Sequence, residues 1–169
     1  MGARMLIAGI GNIFLGDDAF GVEVIQRLLR RPVPDRVRVL DIGIRGLDLA
    51  YALLDNYDVA ILVDATPRGG APGTLYMLEP DLSALDQLTA PETALETHSM
   101  HPMRVMAWVK AMGGTLPRVL FVGCEPTALD TEEGQMGLSV PVQAAVAEAV
   151  VVLESLIEAF LAQEAANHA

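Results

Sequence analysis

A chain of 169 residues with a formal net charge of −11 at pH 7 is long enough for one compact domain and short for two. Its acidity leaves no basic stripe to release counterions from phosphates, which excludes nucleic acid and anionic membrane surfaces as partners. Just over half of the residues are apolar and aromatics are few, so the core is built from Val, Leu, Ile, Ala and Met, as suits helices packed on a parallel sheet.

Residues 4–10 (RMLIAGI) are a short apolar run entering glycines, the pattern of a buried first strand. Residues 19–30 (AFGVEVIQRLLR) carry apolar side chains at helical spacing, with Asp17 and Asp18 suited to the N-terminal end of that helix. Pro32 and Pro34 stop it. A second, half-buried strand is expected over 36–41 and a helix over 47–54. Residues 58–65 (DVAILVDA) are almost wholly apolar, which predicts a third strand buried on both faces. A turn cluster (PRGGAPG) at 67–73 leads to a short fourth strand at 74–78, suited to a sheet edge. Residues 79–97 are polar with scattered leucines and are expected to form a mobile loop. Pro102 opens a helix that Gly113 and Gly114 end. A fifth strand is predicted over 118–123, then a loop, then a long C-terminal helix with Ser139 as its cap and Pro141 in its first turn. The tail after Ala162 is expected to fray.

Strands that alternate with helices define an α/β three-layer sandwich: a mostly parallel central sheet of about five strands with helices on both faces. No repeat or linker divides the chain, so residues 1–169 are read as one domain. The most apolar region, 140–161, is interrupted by Gln143, Glu148, Glu154 and Glu158 and reads as an amphipathic helix, not a membrane span. The one cysteine, Cys124, allows no intrachain disulfide and no all-cysteine metal cage. That, together with a start too short and strand-like for a signal peptide, fits a cytoplasmic protein.

The chemistry gathers in the opening loop, GIGNIFLGDDAFG. It imitates a glycine-rich phosphate loop, but a dinucleotide fingerprint needs its third glycine three residues after the second. Phe14 stands there, and the next glycine is Gly16. Asp17 and Asp18 occupy the place of the phosphate. Like charges a few ångströms apart repel by roughly 1 kcal/mol in water and several times more in a partly buried cleft, so the pair favours a cation over an anion. In open α/β sheets ligands bind beyond the carboxyl ends of the strands. Asp18 after the first strand, Asp64 at the end of the third and His98 before the Pro102 helix all fall at that rim. Two carboxylates and an imidazole suit a first-row divalent ion with open positions. Each also has an ordinary alternative: a helix-end charge, a turn carboxylate and a loop histidine. His98 and His101 make an H-x-x-H pair, but Pro102 keeps His98 outside the helix, and no HExxH motif is present. There is no G-x-S-x-G elbow. Cys124 reads as a small strand-end residue, and Glu125 either supports a metal site or caps a turn.

From Met5 to about Leu156 the chain resembles the hydrogenase maturation proteases, the endopeptidases that process nickel–iron hydrogenase large subunits. The resemblance rests on GIGNIFLGDDAFG, LDIGIRGLDL, ILVDA, THSMHPM, FVGCEP and GLSVPV, in that order. It implies removal of a short C-terminal extension from the large-subunit precursor once nickel has been inserted. The nickel is carried by the substrate, and no organic cofactor is expected. The family's ligand pattern falls on Asp18, where many relatives have Glu, and on Asp64 and His98, with Asp17 as a candidate to take a proton. One departure is the loop after Asp41: many relatives carry Gly-Gly-Thr where this chain has Ile42-Gly43-Ile44. Two other readings stand beside this one: a Rossmann-type nucleotide-binding protein, and a non-catalytic chaperone of the large subunit.

Overall fold

The computed structural model describes residues 2–87, 101–127 and 136–169. Five strands form one sheet: β1 (Met5–Ile10), β2 (Val37–Gly43), β3 (Val59–Ala65), β4 (Leu75–Leu78) and β5 (Arg118–Cys124). Their order is β2-β1-β3-β5-β4. The first four positions in that order run parallel, while β4 lies antiparallel on β5 at the outer edge. The helices are α1 (Phe20–Leu28), α2 (Gly46–Leu53), α3 (Pro102–Ala111) and α4 (Val140–Asn167), with short 3-10 turns at Gly16–Ala19 and Leu82–Gln87. The expected class, a three-layer α/β sandwich, is the one observed.

Strand alternation builds the three layers. Met5 and Ile7 of β1 point into one apolar cluster with α1 and α4, whereas Leu6, Ala8 and Ile10 point into another with α2 and α3. The same division holds in β3, where Ile61 and Val63 face the first cluster and Ala60 and Leu62 the second. This is why these strands are apolar at every position. In α4 the buried stripe Val142, Ala145, Val146, Ala149, Val150, Leu153, Ile157 and Phe160 follows the helical repeat. Residues 162–167, expected to fray, continue α4 to Asn167. Among the described residues, no helix is long and apolar enough to cross a membrane.

Two glycines of the opening motif serve packing. A Cβ on Gly21 would stand 2.1 Å from the Val63 carbonyl oxygen and 2.3 Å from that of Ile10. The first turn of α1 therefore rests on the backbone at the carboxyl ends of β1 and β3. Gly11 has φ near +147°, and a Cβ there would lie 1.9 Å from the Asp18 carbonyl oxygen. Glycine at both positions lets the chain fold back over the β1–β3 crevice, which is where successive connections leave toward opposite sides of the sheet.

Other departures from expectation are local. Asp17 and Asp18 sit in a separate 3-10 turn before α1. Part of the 79–97 segment forms the Leu82–Gln87 turn and buries Leu85 in the core; residues 88–97 lie outside the described residues. Ser139 stands at the start of α4 but makes no side-chain capping bond, because its hydroxyl donates to the Asp17 carboxylate instead.

Candidate functional site

The β1–β3 crevice brings two of the three sequence-predicted site residues together. Asp64 ends β3 and shares a face with Leu62, toward α2 and α3. Asp18 follows β1, and its Oδ2 accepts a hydrogen bond from the Asn12 amide at 2.8 Å. Burial pushes Asp18 above the usual carboxylate range, and the Asn12 amide only partly offsets it. Asp64 is raised well above that range, first by burial and then by the negative charge of Asp18, against one opposing bond from the Ala65 amide. Two carboxyl groups that disfavour each other's charge are spare capacity for a cation or a proton. His98 lies outside the described residues. Among the described residues no three His, Cys, Asp or Glu side chains form a metal-holding cluster.

Asp17 has a different fate from its neighbour. It is buried, and its two oxygens take four hydrogen bonds: from the Thr127 amide at 2.9 Å and hydroxyl at 2.5 Å, and from the Ser139 amide at 2.7 Å and hydroxyl at 2.8 Å. Burial would raise its proton affinity, but the Thr127 and Ser139 donors overcome that and hold it below the usual value. A carboxylate so occupied is a poor proton acceptor, which corrects the reading of Asp17 as a general base.

Glu125, at the end of β5, pins the loop after β3. Its carboxylate accepts from the Arg68 and Gly69 amides at 2.7 and 2.8 Å and from the Tyr76 hydroxyl at 3.0 Å. Burial raises it, yet these donors hold it below the ordinary value. Of the two readings left open for Glu125, the turn-organising one matches these contacts. His101 is the N-cap of α3, its Nδ1 accepting from the Met103 amide at 3.3 Å. Burial and the nearby Arg104 lower its proton affinity. Cys124 is buried, and burial, followed by the Asp17 charge, pushes its thiol up to about 11. A thiol so rarely ionised is no nucleophile at neutral pH.

The rim around the two aspartates is apolar. Ile13, Phe14 and Leu15 in the loop before Asp18 are exposed, Phe14 by 60 %. Ile44, after β2, and Leu47, in the first turn of α2, are exposed on the neighbouring segment, which the Gly11 amide joins through the Gly43 carbonyl at 3.0 Å. A groove of about 490 Å³ lies farther out, between β2 and α2, lined by Leu40, Tyr51, Leu54 and charged residues; neither Asp18 nor Asp64 lines it. The nucleotide reading loses its footing here. A dinucleotide site would use a carboxylate such as Asp41 of β2 for a ribose hydroxyl, but Asp41 accepts from the Gln26 side-chain amide at 2.8 Å, and the acidic 3-10 turn stands where pyrophosphate would bind.

Comparison with known proteins gives one consistent result. The family model described as HycI, hydrogenase maturation protease, matches residues 22–156. The chain is 34 % identical over 151 residues to the hydrogenase expression/formation protein HupD of Rhodobacter capsulatus, covering 87 % of this chain and 70 % of that protein. It is 31 % identical over 150 residues to the hydrogenase 2 maturation protease of Escherichia coli, covering 87 % and 86 %. The structure superposes on the hydrogenase maturating endopeptidase HybD from E. coli with a TM-score of 0.68 and 28 % identity, over 92 % of this chain and 93 % of that one.

Proposed function

This chain belongs to the hydrogenase maturation protease family, endopeptidases that process the hydrogenase large-subunit precursor, and we propose that it recognises its substrate through nickel already seated there. In this reading Asp18, Asp64 and His98 complete the coordination of that nickel. The substrate supplies the metal, so the enzyme needs no resident cofactor. The observation that carries the proposal is the meeting of Asp18, in the turn after β1, with Asp64, near the carboxyl end of β3, and the raised proton affinity of Asp64 beside Asp18 supports it. Such a pair is costly when ionised and empty, and a divalent cation removes the cost. The exposed Ile13, Phe14 and Leu15 give the site an apolar border, which suits a polypeptide surface better than a small anion.

Hydrolysis then proceeds at a carbonyl held beside the cation. Asp18, Asp64 and His98 would hold the substrate's nickel, which would supply Lewis-acid chemistry at the scissile carbonyl or at a water. Water adds to the carbonyl carbon, the C–N bond breaks, and the water proton ends on the departing amine. Asp17 is committed to its four donors, so among the two adjacent carboxylates Asp18 is the one left to face the substrate.

The test is cleavage of a large-subunit precursor, purified with and without nickel and followed by mass spectrometry. The expected result is loss of a C-terminal peptide from the nickel-loaded form and a rate at least about 100-fold lower on the nickel-free form, equivalent to about 2.7 kcal/mol of transition-state stabilisation. Equal cleavage of both forms would remove nickel from recognition. Binding without cleavage of either would return the chaperone reading.

A further inference from the structure

Resting on the reading of Asp18 given above, we propose that Asp17 is a positioning residue that sets Asp18 toward Asp64 by clamping the Gly16–Ala19 turn to the segment after β5 and the start of α4. Three segments far apart in the chain meet at this one carboxylate. Thr127 and Ser139 lie 110 and 122 residues from Asp17, and each gives it both its amide and its hydroxyl. Beyond this clamp the turn is held by local backbone bonds, Asp18 N–H to the Leu15 carbonyl and Phe20 N–H to the Asp17 carbonyl. It is four residues long, and Leu15 at its start provides no side-chain cap.

The geometry of a 3-10 turn makes the clamp consequential. With three residues per turn, successive side chains point about 120° apart. Anchoring Asp17 inward therefore dictates the direction of Asp18, whose carboxylate accepts from the Asn12 amide. The same clamp keeps the Asp18 carbonyl against Gly11, where no Cβ fits. Two adjacent carboxylates thus divide the labour: one is consumed as an anchor so that the other stays presented. Asparagine at position 17 would put an NH2 group where an oxygen now meets donors, and the turn would be free to rotate.

Hydrogen exchange and kinetics on the full chain test this together. Asp17→Asn, Thr127→Val and Ser139→Ala are compared at a temperature where circular dichroism shows each folded; the last two remove one hydroxyl each and keep both backbone donors. The Asn12 amide, which bonds to Asp18, is expected to exchange at least about 10-fold faster in Asp17→Asn while the central β1 amides keep their protection. On nickel-loaded precursor, kcat is expected to fall about 100-fold in Asp17→Asn and about 3- to 10-fold in each hydroxyl variant, with KM changed less than about threefold. If Asp17→Asn does not fold, the hydroxyl variants carry the same comparison. Protection lost equally at Asn12 and throughout β1 would make Asp17 general fold support and overturn the proposal, as would wild-type kcat or an unchanged Asn12 amide in folded variants. Failure of the wild-type chain to cleave would instead refute the proteolytic reading of the site, and the exchange arm would still decide the clamp.

Discussion

Asp64→Asn is expected to melt at a higher temperature than the parent chain while cleaving nickel-loaded precursor at least about 100-fold more slowly. The gain in stability follows from the direction of the Asp64 shift. Its proton affinity is raised in the folded state by burial and by Asp18. Between the ordinary value of 3.8 and the raised one, the folded chain holds a proton that the unfolded chain has released. Stability therefore falls as pH rises through that window, and the cost is complete once pH exceeds the raised value. Asparagine removes the charge and the cost. The relief of a partly buried like-charge contact is about 1 kcal/mol or more, which in a chain of this size moves Tm by about 2–4 °C. The advantage should vanish below about pH 3.8, where the wild-type carboxyl is neutral in both states. Nickel(II) should raise the Tm of the parent and leave that of the variant unmoved, since only a ligand bound by the folded state stabilises it. Thermal denaturation across pH, with and without nickel, checks each part. A variant less stable than the parent at pH 7 would show that Asp64 holds the fold and is not kept at a cost for the site.

Gly21→Ala is expected to be strongly destabilising. Its Cβ would enter the space of two backbone carbonyl oxygens, 2.1 Å from Val63 and 2.3 Å from Ile10. Backbone in two central strands cannot step aside as a flexible side chain would. Helix α1 has to lift from the sheet, and with it Phe20, Val24, Ile25 and Leu28, all in the core. Overpacking of this kind costs about 3 kcal/mol or more, and Tm should drop by about 10 °C. The site suffers as well, because the turn that carries Asp18 runs directly into α1. Circular dichroism melting measures the loss; a Tm within 2 °C of the parent, a band set at about the smallest shift expected for 1 kcal/mol, would contradict this account of the glycine.

How much of this was legible beforehand depended on how local the cause was. The apolar run at β3 and the helical stripe of α4 are patterns of neighbouring residues, and both elements appear where the spacing places them. The start of α3 follows from one proline: His101 caps the helix, as the restriction before Pro102 requires. The separate 3-10 turn at Gly16–Ala19 was not visible, because acidic residues before an apolar helix look the same whether they begin it or precede it. The fates of Asp17 and Asp18 were less visible still. They are adjacent and chemically identical, and what divides them are donors 110 and 122 positions away. Glu125 is a similar case, since the amides it holds come from the loop after β3. A carboxylate directly following a buried strand, facing a glycine-rich turn elsewhere in the chain, was the one available signal. The glycines of the opening motif imitate a phosphate loop in sequence; close approach of α1 and its preceding turn to the sheet is what Gly21 and Gly11 serve.

The most direct measurement is the crystal structure of the chain with cadmium(II) or nickel(II) bound, collected at the metal's absorption edge so that the ion identifies itself. One anomalous peak is expected at the carboxyl rim between β1 and β3, bonded to Asp18, Asp64 and His98 at about 2.0–2.3 Å, with an open side toward Phe14. A metal-loaded crystal in which Asp18, Asp64 and His98 share no ion, or in which His98 stands beyond reach of the two carboxylates, would contradict the account.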